Sequence, residues 1–203
     1  MASTPDKAIL ELSSNTNYIE IIGIPGSGKT TLANKHSEGK IIIDYNPFDN
    51  VNINMDPKIL SHYGRQKMLI DKFVKDVNES DPNKMIISCL GPTNILVYSS
   101  WLNKKKLITD KQLNKLVSRL IKSYPKRIVT AKTVLNTSPD ECFARIQCRG
   151  YPGDLAYTLD DLNNIKEIQT YYITLFLMNM HDVLGMHNIK GVTKFEKCVN
   201  NLR

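Results

Sequence analysis

The stretch Tyr18-Ile19-Glu20-Ile21-Ile22-Gly23-Ile24-Pro25-Gly26-Ser27-Gly28-Lys29-Thr30-Thr31-Leu32-Ala33 decides the fold. Its first five residues form an apolar run of the kind that fills a buried parallel strand. Gly23 to Thr30 satisfy every fixed position of the pattern GxxxxGK[ST]. Thr31 to His36 can open a helix. Strand, glycine loop and helix in that order form the setting in which the pattern carries a mechanism. Gly23, Gly26 and Gly28 let the backbone turn tightly and aim its N–H groups at phosphate oxygens, and the helix start adds positive dipole. Lys29 is expected at the β- and γ-phosphates and the Thr30 hydroxyl on Mg²⁺. Residues Gly23, Ile24, Pro25, Gly26, Ser27, Gly28, Lys29, Thr30 and Thr31 are therefore the expected binding loop for a nucleoside triphosphate, with ATP and Mg²⁺ as its cofactors.

Outward from that loop, short β-rich runs alternate with longer helical patterns. Such alternation argues for an α/β fold with a parallel sheet covered on both faces. Strands are expected at 18–22, 40–44, 84–89, 127–136 and 188–192. Helices are expected at 57–77, 93–103, 109–123, 139–149 and 158–183. In the first of these Ile59, Leu60, Tyr63, Met68, Leu69, Phe73 and Val77 share one side. Thr109 is the expected cap of the third, and Pro139 suits an early helical position. Gly150-Tyr151-Pro152-Gly153 forces a loop before Thr158 opens the last helix.

The 203 residues suit one domain (16–203) behind a frayed tail (1–15). Cys89, Cys142, Cys148 and Cys198 contain no CxxC pair. Reduced thiols are expected, not a zinc site. No basic-then-apolar leader and no apolar run of membrane-spanning length are present, so a cytoplasmic location is expected. The net charge of +7 is uneven. Lys104, Lys105, Lys106, Lys111, Lys115, Arg119, Lys122, Lys126, Arg127 and Lys132 face only Asp110 within their own stretch. Interleaved aromatics are missing there, so a solvated helix face is expected, not a nucleic-acid surface.

Three further segments carry a resemblance. They are Asp56-Pro57 with Gln66 on the helix that follows; Leu107-Ile108-Thr109-Asp110; and Leu135-Asn136-Thr137-Ser138-Pro139-Asp140-Glu141-Cys142 with Arg145-Ile146, Arg149-Gly150 and Asp154. Read in order over residues 18 to 180, they resemble the deoxynucleoside kinase family, which includes the herpesvirus-type thymidine kinases and the deoxycytidine and deoxyguanosine kinases. The resemblance implies a three-layer P-loop kinase fold with a five-stranded parallel sheet and an arginine lid, in a divergent member of viral type. It implies transfer of the γ-phosphate of ATP to the 5′-hydroxyl of a deoxynucleoside (thymidine or deoxycytidine) in the salvage of DNA precursors, and a homodimer. Gln66 would pair with the base and Asp154 would hold the sugar 3′-hydroxyl. Arg145 and Arg149, four residues apart, would present two guanidiniums on one helix face to the moving phosphoryl group.

The chain departs from that family pattern at four places. Asn46 stands before Pro47 where the family has the Glu that takes the sugar proton. Asp44, two residues earlier and about 6–7 Å away along a strand, is the stand-in, with Asp49 next. Ile87-Ser88-Cys89 stands in place of Glu-Arg-Ser. Tyr151 replaces a lid arginine, and Asn54 a sugar-binding Tyr. Besides the nucleoside kinase, these leave open a nucleoside monophosphate kinase and a non-catalytic nucleotide-binding homologue serving as an interaction module.

Overall fold

The computed structural model describes residues 16–44, 61–125, 130–150 and 157–177. Its elements run β1 (Tyr18–Ile22), α1 (Lys29–Lys35), β2 (Ile41–Ile43), α2 (His62–Glu79), β3 (Ile86–Ser88), α3 (Pro92–Lys104), α4 (Asp110–Ser123), β4 (Thr130–Val134), α5 (Pro139–Arg149) and α6 (Leu159–Leu177). The strands form one parallel sheet in the order β2-β3-β1-β4.

That order dictates the layers. The connection from β1 to β2 travels one way across the sheet, and those from β2 to β3 and from β3 to β4 travel the other way. Right-handed crossovers then place α1 on one face and α2–α4 on the opposite face. Two cores result. Leu32 and Ala33 of α1 pack on Ile19, Ile21, Ile87 and Cys89. On the other face Tyr18, Ile43 and Ile86 meet Ile70, Phe73, Ile95, Leu116, Ile146 and Tyr172. β1 and β3 are adjacent strands whose connections leave in opposite directions, so their carboxyl ends border the crevice where this class of sheet binds ligands.

Local chemistry sets most helix boundaries. Thr109 and Gln112 form a reciprocal capping box at α4. The Ser138 side chain accepts from the Glu141 amide at α5, and Pro139 occupies its first turn. Thr158 and Asp161 cap each other at the start of α6. Gly150 ends α5 in the left-handed region, with φ of 64°.

Several boundaries differ from the sequence expectation. The helix expected from Pro57 begins at His62, because Ser61 adopts a non-helical conformation and its side chain caps the Gly64 amide. Its buried row is Gln66, Ile70, Phe73 and Val77, so a polar residue shares the core face. The strands expected at 40–44 and 84–89 pair in register over 41–43 and 86–88, and β4 ends at Val134 where the sequence suggests 136; residues 127–129 lie outside the described residues. Four strands lie among the described residues, where the sequence suggests five. The strand expected at 188–192 lies outside the described residues, as do residues 57–60 of the first expected helix and 178–183 of the last.

Candidate active site

The loop between β1 and α1 closes on itself. The Ser27 amide donates to the Ile24 carbonyl at 3.2 Å, and Lys29 Nζ donates to the Gly23 and Ile24 carbonyls at 2.7 and 3.0 Å. Three glycines make this possible. Gly26 and Gly28 take φ of 78° and 95°, which side chains resist. A Cβ on Gly23 would lie 2.3 Å from Ser27 Oγ, and one on Gly26 would lie 2.5 Å from the Cys142 carbonyl oxygen. The Gly26 contact shows that α5 sits directly against the loop. Thr137 Oγ1 donates to the Ser27 carbonyl at 3.1 Å, and Arg145 Nη1 reaches the Gly26 carbonyl at 3.4 Å. The other terminal nitrogen of Arg145 pairs with Glu141 one turn back.

Around the Lys29 ammonium the structure gathers most of the charged candidates. Burial lowers its pKa from the ordinary lysine value. The Asp44 carboxylate opposes that shift and the Arg149 guanidinium adds to it. Asp44 lies one residue beyond β2, half-buried, and Arg149 ends α5. Cys89, just past β3, is buried within the same field. Burial and then the Asp44 charge push its thiol up to about 12, against which Lys29 pulls weakly. The position is therefore neutral.

Gln66 is buried on α2, and the Ser99 hydroxyl of α3 donates to its Oε1 at 3.3 Å. Thr30 and Thr31 are exposed at the start of α1. Asp154, Tyr151, Asn46, Pro47, Asp49, Asn54, Asp56 and Pro57 lie outside the described residues. No group of three or more His, Cys, Asp or Glu is arranged to hold a metal among the described residues. The loop suits Mg²⁺ nonetheless, since that ion is commonly held by one or two side-chain oxygens, phosphate and water. A groove along α4, lined by Lys115, Arg119 and Lys122 among others, contains none of these residues.

Sequence reasoning passed over a second cluster, immediately beneath the loop. Glu20, fully buried in β1, accepts from the Thr93 amide (2.7 Å), the Thr93 hydroxyl (2.8 Å), the Asn94 amide (3.3 Å) and Lys132 Nζ (2.6 Å). It thus caps the start of α3 from across the sheet. Lys132 pairs in register with Glu20 on β4, so it is no part of the solvated helix face expected for the basic stretch. A glutamate inside an otherwise apolar strand was the available signal, since a buried carboxylate needs partners.

Three comparisons bear on this geometry. An AAA domain family model matches residues 19–169. A search of curated protein sequences gave no match. Among solved structures, deoxyadenosine kinase from M. mycoides is similar in three forms, each at 14% identity. The form with bound dCTP aligns with a TM-score of 0.64 over 92% of this chain and 100% of that one. The form with products dCMP and a flexible dCDP gives 0.60 over the same shares. The form with dATP gives 0.63 over 80% of this chain and 86% of that one. At this identity the likeness establishes the fold, which is that of a P-loop kinase.

Proposed function

The chain belongs to the AAA-domain family, and from that premise we propose that it is an ATP-dependent nucleoside kinase acting on the 5′-hydroxyl of a deoxynucleoside, thymidine or deoxycytidine. The observation that carries the proposal is the gathering of Lys29, Asp44, Arg145 and Arg149 about one phosphate loop. Phosphoryl transfer asks mainly for positioning and for fixed positive charge around the moving group. Lys29 and the loop amides hold the triphosphate. Arg145 and Arg149, on the helix seated against the loop, face the transferring phosphoryl. Thr30 would hold Mg²⁺, which when bound neutralises charge on the β- and γ-phosphate oxygens. Asp44 accepts the hydroxyl proton, Gln66 reads the base and Asp154 holds the sugar. The nucleotides bound by the similarly folded deoxyadenosine kinases support nucleotide binding by this chain.

One observation favours a second reading, a nucleotide-binding homologue without catalysis. The buried run Ile87-Ser88-Cys89 stands where the kinases that this sequence resembles carry Glu-Arg-Ser, so the metal-linked carboxylate is replaced by the apolar Ile87.

Transfer of labelled phosphate from ATP across a panel of nucleosides and nucleoside monophosphates separates the readings. The wild-type chain should phosphorylate a deoxynucleoside, and Lys29→Ala should abolish transfer. Asp44→Asn should slow it by roughly 10²–10⁴ while ATP binding survives. ATP binding without transfer to any acceptor would establish the second reading, and transfer only to monophosphates would replace the acceptor named here.

A further inference from the structure

We infer that Asn94 is a positioning residue for the phosphate loop, the tether that holds Gly23 in place when Lys29 turns away to phosphate. Asn94 sits in the first turn of α3 and is 2% exposed. Its side-chain nitrogen donates to the Ile21 carbonyl near the end of β1 (2.9 Å) and to the Cys89 carbonyl past the end of β3 (3.2 Å). Its side-chain oxygen accepts from the Gly23 amide at a longer 3.5 Å. One amide group therefore joins both strand ends that border the crevice to the first residue of the loop. An amide suits this task because it offers two donors and an acceptor from one plane.

Asn94 is itself held from below. Glu20 accepts from the Thr93 and Asn94 backbone amides, and Lys132 binds both Glu20 Oε2 and the Thr93 hydroxyl (2.6 and 2.8 Å). The start of α3 is thus fastened to β1 and β4, and its Asn94 side chain projects from a rigid mount.

The consequence for binding follows from the two ends of Gly23. Its carbonyl accepts from Lys29 Nζ at 2.7 Å and its amide donates to Asn94. A lysine that moves to a triphosphate leaves that carbonyl, so Asn94 becomes the constraint on Gly23 in the bound loop. A loop free to wander at its first residue must lose that freedom on binding, which weakens affinity.

This inference rests on triphosphate binding at the loop, and the test separates the two. ATP affinity and melting temperature are measured for the wild-type chain, Asn94→Ala, Asn94→Ser and Thr109→Ala. Removing the Asn94 amide should raise the ATP Kd about 3–10-fold, the scale of one lost hydrogen bond. Thr109→Ala removes a helix cap at the start of α4, beyond the end of α3 opposite to Asn94, so it should lower the melting temperature and leave the ATP Kd unchanged. Equal ATP affinity in the wild-type and Asn94 variants would overturn the inference. So would a Thr109→Ala loss of affinity matching theirs, which would reduce Asn94 to general stability. Amide exchange of Gly23 in the wild-type chain needs no variant to fold. The tether predicts protection without nucleotide that persists when ATP is added, and fast exchange in either state would refute it. Failure of the wild-type chain to bind ATP would count against the proposed function, while protection of Gly23 in the free chain would still decide the tether.

Discussion

Lys29 illustrates how a single side chain can be placed for two states. Its ammonium spends its hydrogen bonds on the Gly23 and Ile24 carbonyls, which satisfies a desolvated charge until phosphate oxygens replace them. Burial lowers its pKa, with the Asp44 carboxylate opposing the shift. The protonated form binds phosphate, so affinity should be full at neutral pH and should fall as pH rises through the lowered pKa, sooner than for an ordinary lysine. ATP titrations between pH 7 and 10 would read this, with Lys29→Arg as the comparison because a guanidinium stays charged throughout. Flat wild-type affinity across the range would remove the lysine from the binding step. The position of Lys29 was legible from the pattern around it. The field around it was not, since Asp44, Cys89 and Arg149 arrive from three different elements.

Among the elements, α4 depends most visibly on its own first turn. The Thr109 side chain accepts from the Gln112 amide at 3.3 Å, and Gln112 Oε1 accepts from the Thr109 amide at 2.8 Å. The helix then buries Leu113, Leu116, Val117 and Leu120. Thr109→Ala removes one side of the box and should cost about 0.5–2 kcal/mol. In a chain of this size that lowers the melting temperature by roughly 2–4 °C per kcal/mol. An unchanged melting curve would mean that packing alone sets the start of α4. This cap was readable because its partners are three residues apart. The cap of α2 is as local, Ser61 accepting from the Gly64 amide, but the apolar pattern obscures it. Apolar spacing continues through Ile59 and Leu60, while a cap at Ser61 begins the helix later.

At the scale of the molecule, charges that look unbalanced along the chain are balanced across it. Lys104 pairs with Glu167, Lys105 with Asp161 and Arg119 with Asp71, joining α3 to α6 and α4 to α2. The Lys104 and Arg119 pairs are exposed enough to contribute little each, while the Asp161 carboxylate is buried and also capped by Thr158. Lys132 with Glu20 is different, since the carboxylate is fully buried. Lys132→Met leaves that carboxylate without its cation and should destabilise the fold by about 3–5 kcal/mol. Adding Glu20→Gln should recover part of the loss, because the buried charge is then gone as well. Denaturant melts of the single and double variants would show this, and a single variant as stable as wild type would mean that water already screens the pair. No helix among the described residues is long and apolar enough to cross a membrane.

By itself the sequence determined what local chemistry and short spacing can encode. The phosphate loop needs its glycines, lysine and threonine at fixed offsets, and the helices announce themselves through caps and apolar period, so both could be read from neighbouring residues. Only the tertiary structure decided which distant residues meet. Sheet order brings Lys132 beside Glu20, α3 carries Asn94 to Gly23, and α5 lays Arg145 on the Gly26 carbonyl. Those contacts join residues about seventy to one hundred and twenty positions apart. No periodicity spans such separations, because strand pairing and crossover handedness set them, and these exist only once the sheet has formed.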